Sequence, residues 1–296
     1  MTIRDIIIAI AIIIIWGINF IVIKMGLQNM PPLLLASLRF LAATIPAIFF
    51  LPRPKLKWTR LIALGMTLDV GQFAFLFIGI KLGMSAGMAS LVIQTQVFFT
   101  LVMATLILKE RFYLNNLIGI ILSISGVVII GFFQGSNISV VGFLLTLAAA
   151  FSWGIGNIIM CKCTNKDEPF TMLSLVVWAS AVAIIPLTLL SWFIEGPASW
   201  KAAWHSLNTT SLFSIVYLAY LATIFAYSMW GKLLSKYSAT VVSPFALLVP
   251  VVGMSSSFLL LGDHFSFLQI LGAALVMIGL LINLLGTKLF KKTKIA

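Results

Sequence analysis

KERFYLNNLIGIILSISG at residues 109–126 returns as GDHFSFLQILGAALVMIG at residues 262–279. Aligned without a gap, the two stretches match at four positions that lie 153 residues apart: Glu110 with Asp263, Phe112 with Phe265, Gly119 with Gly272 and Gly126 with Gly279. A shorter stretch, WGINFIVIK at residues 16–24, likewise returns as WGIGNIIMCK at residues 153–162. The chain therefore contains an internal repeat, and we predict a first copy over residues 1–135 and a second over residues 136–296.

The sequence around these stretches is too apolar to form a water-soluble surface. It is 61% hydrophobic and only 9% charged, whereas about a quarter of an ordinary soluble domain is charged. A helix of about 20 apolar residues crosses the hydrocarbon core of a bilayer. The composition therefore predicts an all-α integral membrane protein with ten transmembrane helices, spans 1–10, at residues 4–25, 32–51, 60–81, 85–109, 113–132, 139–161, 170–193, 210–234, 239–261 and 266–289.

Basic residues are distributed unevenly between the two sides of the predicted membrane. Of the 19 lysines and arginines, 15 fall on one side, three (Lys24, Lys81 and Lys201) on the other, and Arg39 inside span 2. By the positive-inside rule both termini are cytoplasmic. Five spans per copy is an odd number, so the second copy enters the membrane from the opposite side and the repeats are inverted. The basic residues behind the net charge of +12 are then expected to face anionic lipid. The sequence has no basic helix face of the kind that would predict nucleic-acid binding.

The repeated Trp-Gly motif is a candidate for two gates. Trp16 and Gly17 fall near the membrane midplane, whereas Gly154 of the second copy falls slightly to the cytoplasmic side, so the related motifs lie at different depths. Pro244 and Pro250 in span 9 lack a backbone donor and are hinge candidates. The alternatives are close helix packing at the glycines and purely structural kinks at the prolines.

Six stretches resemble a known family: WGINFIVIKMGLQNMPPLLLASLRF, QFAFLF, KERF, GFLLTLAAAFSWGIGNI, YLATIFAYSMWGKLL and LLVPVVG. Together they resemble the EamA family of the drug/metabolite transporter superfamily over nearly the whole chain. The resemblance implies a multi-pass protein of the bacterial inner membrane that exports amino acids or related metabolites, such as cysteine and O-acetylserine, or small drugs. It also implies a central cavity between the halves, with spans 5 and 10 at the periphery. The family's usual Gly-Glu pair after the fourth span of each half is Lys109-Glu110 and Gly262-Asp263 here.

Two ionisable residues, Arg39 and Asp69, fall within several ångströms of the membrane midplane. A charge at that depth costs about 2.5 to 3.5 kcal/mol on insertion scales, so each residue must face a cavity or a partner. One interpretation is a buried ion pair that only holds spans 2 and 3 together. The other is a substrate site, in which Arg39 binds a carboxylate and Asp69 binds an ammonium group or exchanges a proton.

Further polar and aromatic residues share helix faces with these charges or line other spans. We predict that substrate is bound by Arg39 and Asp69 together with Asn19, Gln72, Gln94, Trp153, Asn157, Tyr220 and Tyr227. Tyr220 and Tyr227 are too deep in span 8 to be interface anchors. They are therefore expected to line the cavity or to bond between helices.

Enzyme motifs do not fit the predicted architecture. GMSAG at residues 83–87 matches a nucleophile-elbow pattern, but it lies between two spans, and both histidines are in loops. The sequence carries no metal-binding or phosphate-binding motif, so we predict no enzyme activity, metal or other cofactor. Cys161 and Cys163 are expected to be free thiols, because two residues of separation suits neither a disulfide nor a zinc site.

Three alternatives stay open on the sequence. The protein could be a receptor or an intramembrane enzyme, although an inverted repeat favours a transporter. The substrate could be a hydrophobic cationic drug, which Asp69 would also serve. The small residues near Gly119, Gly126, Gly272 and Gly279 could pack within the chain or between chains of an oligomer.

Overall fold

The computed structural model describes residues 1–132, 139–163, 171–237 and 239–289. Ten helical segments in this part of the chain are long and apolar enough to cross a membrane: α1 Ile3–Gly26, α2 Pro32–Phe49, α3 Trp58–Lys81, α4 Ala86–Leu108, α5 Leu114–Phe132, α6 Val140–Cys163, α7 Met172–His205, α8 Thr209–Lys236, α9 Val241–Leu261 and α10 Phe267–Leu284. Large apolar side chains such as Ile14, Ile124 and Phe193 are exposed around the bundle. The ten predicted helices are confirmed, and their exposed apolar surface suits lipid.

The largest shift in a helix boundary is at α7. The helix-breaking residues at 195–197 predict the end of span 7, but the helical segment extends to His205. Gly196 has φ +78°, which glycine adopts without strain, and a second helix, Gly196–His205, begins there. Pro197 occupies its first turn, where a missing N–H breaks no hydrogen bond. Gly196 and Pro197 therefore join two helices and do not end the helical segment.

Four of the interrupted helices, α3, α4, α8 and α9, are irregular at positions that correspond in the two copies. Residues Gly65–Gly71 of α3 and Tyr217–Phe225 of α8 are π-helical. In α4 a 3₁₀ turn spans Ile93–Thr95, and α9 is broken at Leu247, which is 153 residues after Gln94. π-Helical turns are rare in proteins as a whole, but those that do occur are often found at functional sites. All four irregular turns lie beside the cavity described below.

The helices α5 and α10 pack tightly against each other through their glycines. A Cβ atom added to Gly119 would lie 2.7 Å from the carbonyl oxygen of Gly279, and one added to Gly272 would lie 2.8 Å from that of Gly126. Between these contacts Ser123 Oγ donates a hydrogen bond of 3.2 Å to the carbonyl oxygen of Val276. The small residues thus pack within the chain. The helix α10 also reaches the cavity through Asn283, so it is not wholly peripheral.

Two ion pairs join helix ends that are distant in sequence. Lys24 Nζ lies 3.1 Å from Asp263 Oδ1 at one end of the bundle, which we call the outer end after the predicted orientation. Lys236 Nζ lies 2.7 Å from Asp5 Oδ2 at the other end, which we call the inner end. Each pair connects segments that the span count puts on one side, so the contacts agree with ten crossings.

Candidate functional site

The bundle encloses a main cavity of about 530 Å³. It is lined by residues of both sequence copies, as the resemblance to the EamA family implies. Seven of the nine predicted substrate-binding residues line it: Asn19, Arg39, Gln72, Gln94, Trp153, Asn157 and Tyr227. Most of the predicted residues therefore lie on the cavity wall, and their role in substrate binding stays a prediction.

A side cavity of about 170 Å³ adjoins the main cavity. Asp69 lines the side cavity but not the main one, and Thr223 and Phe40 do the same. Seven residues line both spaces: Arg39, Gln72, Phe73, Trp153, Asn157, Met172 and Tyr227. A molecule in the main cavity can therefore present one end to the side cavity across these shared residues.

Arg39 is buried among aromatic rings at the junction of the two cavities. Its side chain is only 2% exposed, and its guanidinium carbon lies 4.1 Å from the ring centroid of Phe73 and 4.8 Å from that of Phe40. Nη2 donates a hydrogen bond of 2.8 Å to Thr223 Oγ1, whereas Nε and Nη1 make no hydrogen bond to any described residue. Rings at these distances stabilise the cation. Two of its donor atoms nevertheless have no hydrogen-bond partner among the described residues.

Asp69 lies in the π-helical turn of α3 and is also unpaired within the described chain. Its Oδ2 atom is buried and accepts no hydrogen bond there. No nitrogen of Arg39 is within 4.0 Å of a carboxylate oxygen of Asp69, so the direct ion pair considered from the sequence is absent. The two ionisable side chains instead line one small cavity without forming an ion pair.

Tyr220 is the one predicted residue that lies outside both cavities. Its side chain is 42% exposed on the outer surface of α8, whereas the Tyr217 hydroxyl donates a bond of 2.9 Å to the carbonyl oxygen of Ile15 and Tyr227 lines the cavity. The prediction that Tyr220 and Tyr227 both face the interior of the bundle assumed an α-helix. Residues Tyr217–Phe225 are π-helical, and the wider turn changes which side chains share a face. Tyr220 therefore lies away from both cavities, and its role in substrate binding stays a prediction.

The predicted amide residues differ in how many of their groups are already bonded. Asn157 Nδ2 donates to Gln96 Oε1 at 2.7 Å and to Thr100 Oγ1 at 3.1 Å, and Gln94 Nε2 donates to the carbonyl oxygen of Ala246 at 3.2 Å. By contrast, Asn19 Oδ1 is buried and has no donor among the described residues. Asn19 therefore has a buried acceptor without a partner beside the main cavity, while Asn157 and Gln94 chiefly join helices.

Aromatic residues form one wall of the main cavity. Trp16 Nε1 donates to the carbonyl oxygen of Ala222 at 3.1 Å, and its ring centroid lies 5.3 Å from that of Tyr227 and 5.2 Å from that of Trp230.

The glycines of the two Trp-Gly motifs make corresponding contacts. A Cβ added to Gly17 would lie 2.5 Å from Val252 Cγ1, and one added to Gly154 would lie 2.9 Å from Phe99 Cβ. Both glycines thus allow close packing, and a gating role stays a prediction.

The outer end of the bundle is sealed by contacts between the copies. Asp263, which pairs with Lys24, accepts a hydrogen bond from Ser257 Oγ, and Ser257 Oγ accepts one of 3.2 Å from Gly87 N. One turn further in, a Cβ added to Gly253 would lie 2.6 Å from Ser90 Cβ. These contacts connect α1, α4 and α9 in one layer across the outer end.

The residues at the corresponding inner positions lie on the wall of the main cavity. Thr100 corresponds to Gly253, and Ser243 to Ser90, at the 153-residue separation of the repeat. Both Thr100 and Ser243 line the main cavity. The cavity therefore extends between α4 and α9 toward the inner end, whereas the same two helices are in contact at the outer end.

A model of the EamA-like transporter family matches the chain twice, over residues 3–132 and 140–285. The chain belongs to the EamA-like transporter family. Members of known name include a probable amino-acid metabolite efflux pump of Salmonella typhimurium strain LT2, which is 44% identical over 99% of both chains. Another, with the same description, is from Escherichia coli K12 and is 44% identical over 99% of this chain and 98% of the relative.

The fold of this EamA-like protein also occurs in a solved crystal structure. The two superpose with a TM-score of 0.64 at 17% sequence identity, over 98% of this chain and 99% of the other. This likeness concerns the fold alone. Together with the ten membrane-length apolar helices and the bacterial relatives, family membership makes the chain a multi-pass protein of the bacterial inner membrane.

Proposed function

We propose that this protein is a secondary transporter that exports amino acids or related metabolites, of the cysteine and O-acetylserine kind, and that it is not an enzyme. The observation that carries the proposal is the main cavity of about 530 Å³, which places Arg39 and the free acceptor of Asn19 inside a membrane-length bundle. Membership of the EamA-like family and two relatives described as probable amino-acid metabolite efflux pumps support it.

Two inverted five-helix repeats, at residues 1–135 and 136–296, are part of this proposal. Exchanging the copies turns the contact of Gly119 with Gly279 into that of Gly272 with Gly126, and both contacts occur. Ser123 bonds to Val276, the residue 153 positions later, as expected beside a twofold axis. An odd number of spans per copy puts that axis in the membrane plane, and the excess of basic residues on one side predicts that both termini are in the cytoplasm.

Alternating access follows from the repeat and from the asymmetry of the two ends. Ser90 packs against Gly253 at the outer end, whereas their counterparts Ser243 and Thr100 stand on the cavity wall at the inner end. In an inverted repeat the copies can exchange these arrangements, which closes the inner end and opens the outer one. Pro244 and Pro250 flank the break at Leu247 of α9 and are the proposed hinge residues.

A hydrophobic cation is the alternative substrate. The aromatic wall formed by Trp16, Tyr227 and Trp230 and the unpaired carboxylate of Asp69 would suit such a molecule. Arg39 would oppose it, because a buried positive charge repels a cation. Export of ethidium or a similar dye that survives Arg39→Gln, without transport of any amino acid, would favour this alternative.

Proton coupling through Asp69 is a further part of the proposal. An unpaired carboxyl group inside the membrane can take up and release a proton as the cavity opens to each side. Transport driven by an imposed pH gradient and abolished in Asp69→Asn would support coupling. Flux that is independent of the gradient in the wild type would show that the protein is a facilitator.

The direct test of the function uses purified protein in sealed proteoliposomes. Radiolabelled cysteine, serine and O-acetylserine are measured by counterflow, because exchange against internal substrate needs no driving gradient. Saturable counterflow that is absent from empty liposomes is the expected result. Absence of counterflow for every amino acid tested would overturn the proposed substrate class.

A further inference from the structure

We propose that the side cavity binds the head group of a zwitterionic α-amino acid, with Arg39 on the carboxylate and Asp69 on the ammonium group. This inference rests on the proposed function and deepens it, because it names the part of the substrate that the protein recognises. The substrate side chain would extend past the shared residues into the main cavity.

The first support is that Arg39 is held in place but not neutralised. Thr223 Oγ1 accepts from Nη2 at 2.8 Å and in turn donates to the carbonyl oxygen of Leu218 at 2.8 Å. The rings of Phe73 and Phe40 lie 4.1 Å and 4.8 Å from the guanidinium carbon and help to hold it in place. Two donor atoms, Nε and Nη1, make no hydrogen bond to a described residue. A carboxylate accepts strong, charge-assisted hydrogen bonds from guanidinium donors of this kind.

The second support is the placement of Asp69 on the same small cavity. Its unpartnered Oδ2 is buried, and Asp69 and Arg39 line the side cavity without forming an ion pair. A buried charge without a partner is costly, and here two opposite charges share that cost across a gap. An amino acid head group compensates both at once, whereas a simple acid or a simple cation compensates one and repels the other.

The third support is the character of the space beyond the gap. The main cavity next to Arg39 is lined by Trp153, Tyr227, Phe73 and Leu76, together with the amides of Asn19 and Gln72. No lysine, aspartate or glutamate is among its described lining residues. Such a wall favours an uncharged side chain with at most a thiol, hydroxyl or ester group.

The test compares cysteine with two analogues that each lack one charge. Cysteinamide lacks the carboxylate, and 3-mercaptopropionate lacks the ammonium group. Each is measured as an inhibitor of radiolabelled cysteine counterflow in proteoliposomes. For the wild type we expect each analogue to bind about 10 to 100 times more weakly than cysteine, because a charge-assisted hydrogen bond is lost.

Variants then assign each charge to its residue. Arg39→Gln should bind cysteine and cysteinamide equally weakly, and Asp69→Asn should bind cysteine and 3-mercaptopropionate equally weakly. Arg39→Lys keeps the charge and should keep part of the discrimination. Arg60→Gln, which removes an exposed charge at the start of α3, is the matched control and should behave as the wild type. Binding to solubilised protein by quenching of tryptophan fluorescence gives the same ratios for variants that do not transport.

The outcomes separate this inference from the proposed function. Wild-type counterflow of cysteine that cysteinamide inhibits as well as cysteine does would overturn the head-group site and leave the exporter intact. Variants that weaken all three compounds by one common factor would show that Arg39 and Asp69 only maintain the structure. Failure of the wild type to bind or exchange any amino acid would remove the proposed function itself.

Discussion

Lys24 of α1 and Asp263, which follows α9, form an ion pair with Nζ 3.1 Å from Oδ1 at the outer end of the bundle. In the repeat, Asp263 corresponds to Glu110, and Lys24 corresponds to Lys162 when the Trp-Gly stretches are aligned with a gap of one residue. Glu110 and Lys162 are both described, and they form no ion pair with each other. The same pair of residues is thus joined at the closed end and separated at the end where the cavity extends.

Breaking the outer pair should shift the protein toward an outward-open state. Asp263→Asn removes a partly exposed ion pair, which is worth about 0.2 to 1 kcal/mol, so we expect up to about a fivefold increase in outer opening. The measurement is labelling of Ser90→Cys by a membrane-impermeant maleimide from outside, in a background without Cys161 and Cys163. The control is a double variant in which Lys24 and Asp263 exchange their charges. If labelling is unchanged in Asp263→Asn and the double variant gives the same labelling, the ion pair does not hold the outer end closed.

Closing the inner end should bring Thr100 and Ser243 together. Their counterparts Gly253 and Ser90 are in contact at the outer end, so cysteines at Thr100 and Ser243 should form a disulfide during turnover and stop transport. Mass spectrometry of the oxidised protein detects the cross-link, and a reductant should restore flux. A pair that never cross-links while cysteine is being transported would argue against exchange of the two arrangements.

The α5–α10 contact should be sensitive to side-chain size. Gly126→Val introduces a branched side chain where a Cβ would already meet the carbonyl oxygen of Gly272, and overpacking of this kind costs about 1 to 3 kcal/mol. Thermal unfolding in detergent should show a lower midpoint. Ser125→Val, on the exposed side of the same helix, is the control and should change it little.

Thr223 should orient Arg39 through their hydrogen bond. Thr223→Val removes the described hydrogen-bond acceptor of Arg39 and should weaken cysteine binding about tenfold while reducing discrimination against cysteinamide. Thr223→Ser keeps the hydroxyl group and serves as the matched control. Equal effects of the valine and serine variants on the cysteine-to-cysteinamide ratio would show that the hydrogen bond does not position the guanidinium.

The predicted orientation can be measured independently of transport. Both termini are expected in the cytoplasm because 15 basic residues fall on that side and three on the other. Alkaline phosphatase fused after Ala296 should be inactive, and a fluorescent protein fused there should be bright. An active phosphatase at that position would be incompatible with ten crossings.

Features that depend on a residue's immediate neighbours in the chain could be predicted from the sequence. A run of about 20 apolar residues must form a helix in lipid, so the ten helices were predictable. Arg39, Asn19 and Gln94 stood out as polar residues within such runs, and the structure places them on the cavity wall.

Tertiary structure decided the features that depend on contacts between distant residues. The π-helical turn at Tyr217–Phe225 placed Tyr220 on the outer surface. The packing of α2 against α8 gave Arg39 the acceptor Thr223, 184 positions away, and kept it apart from Asp69. The sequence by itself determined which helices form, because backbone hydrogen bonds in lipid must be satisfied locally. Only the tertiary structure decided their rotations and the closed end, because those follow from side-chain packing across the two copies.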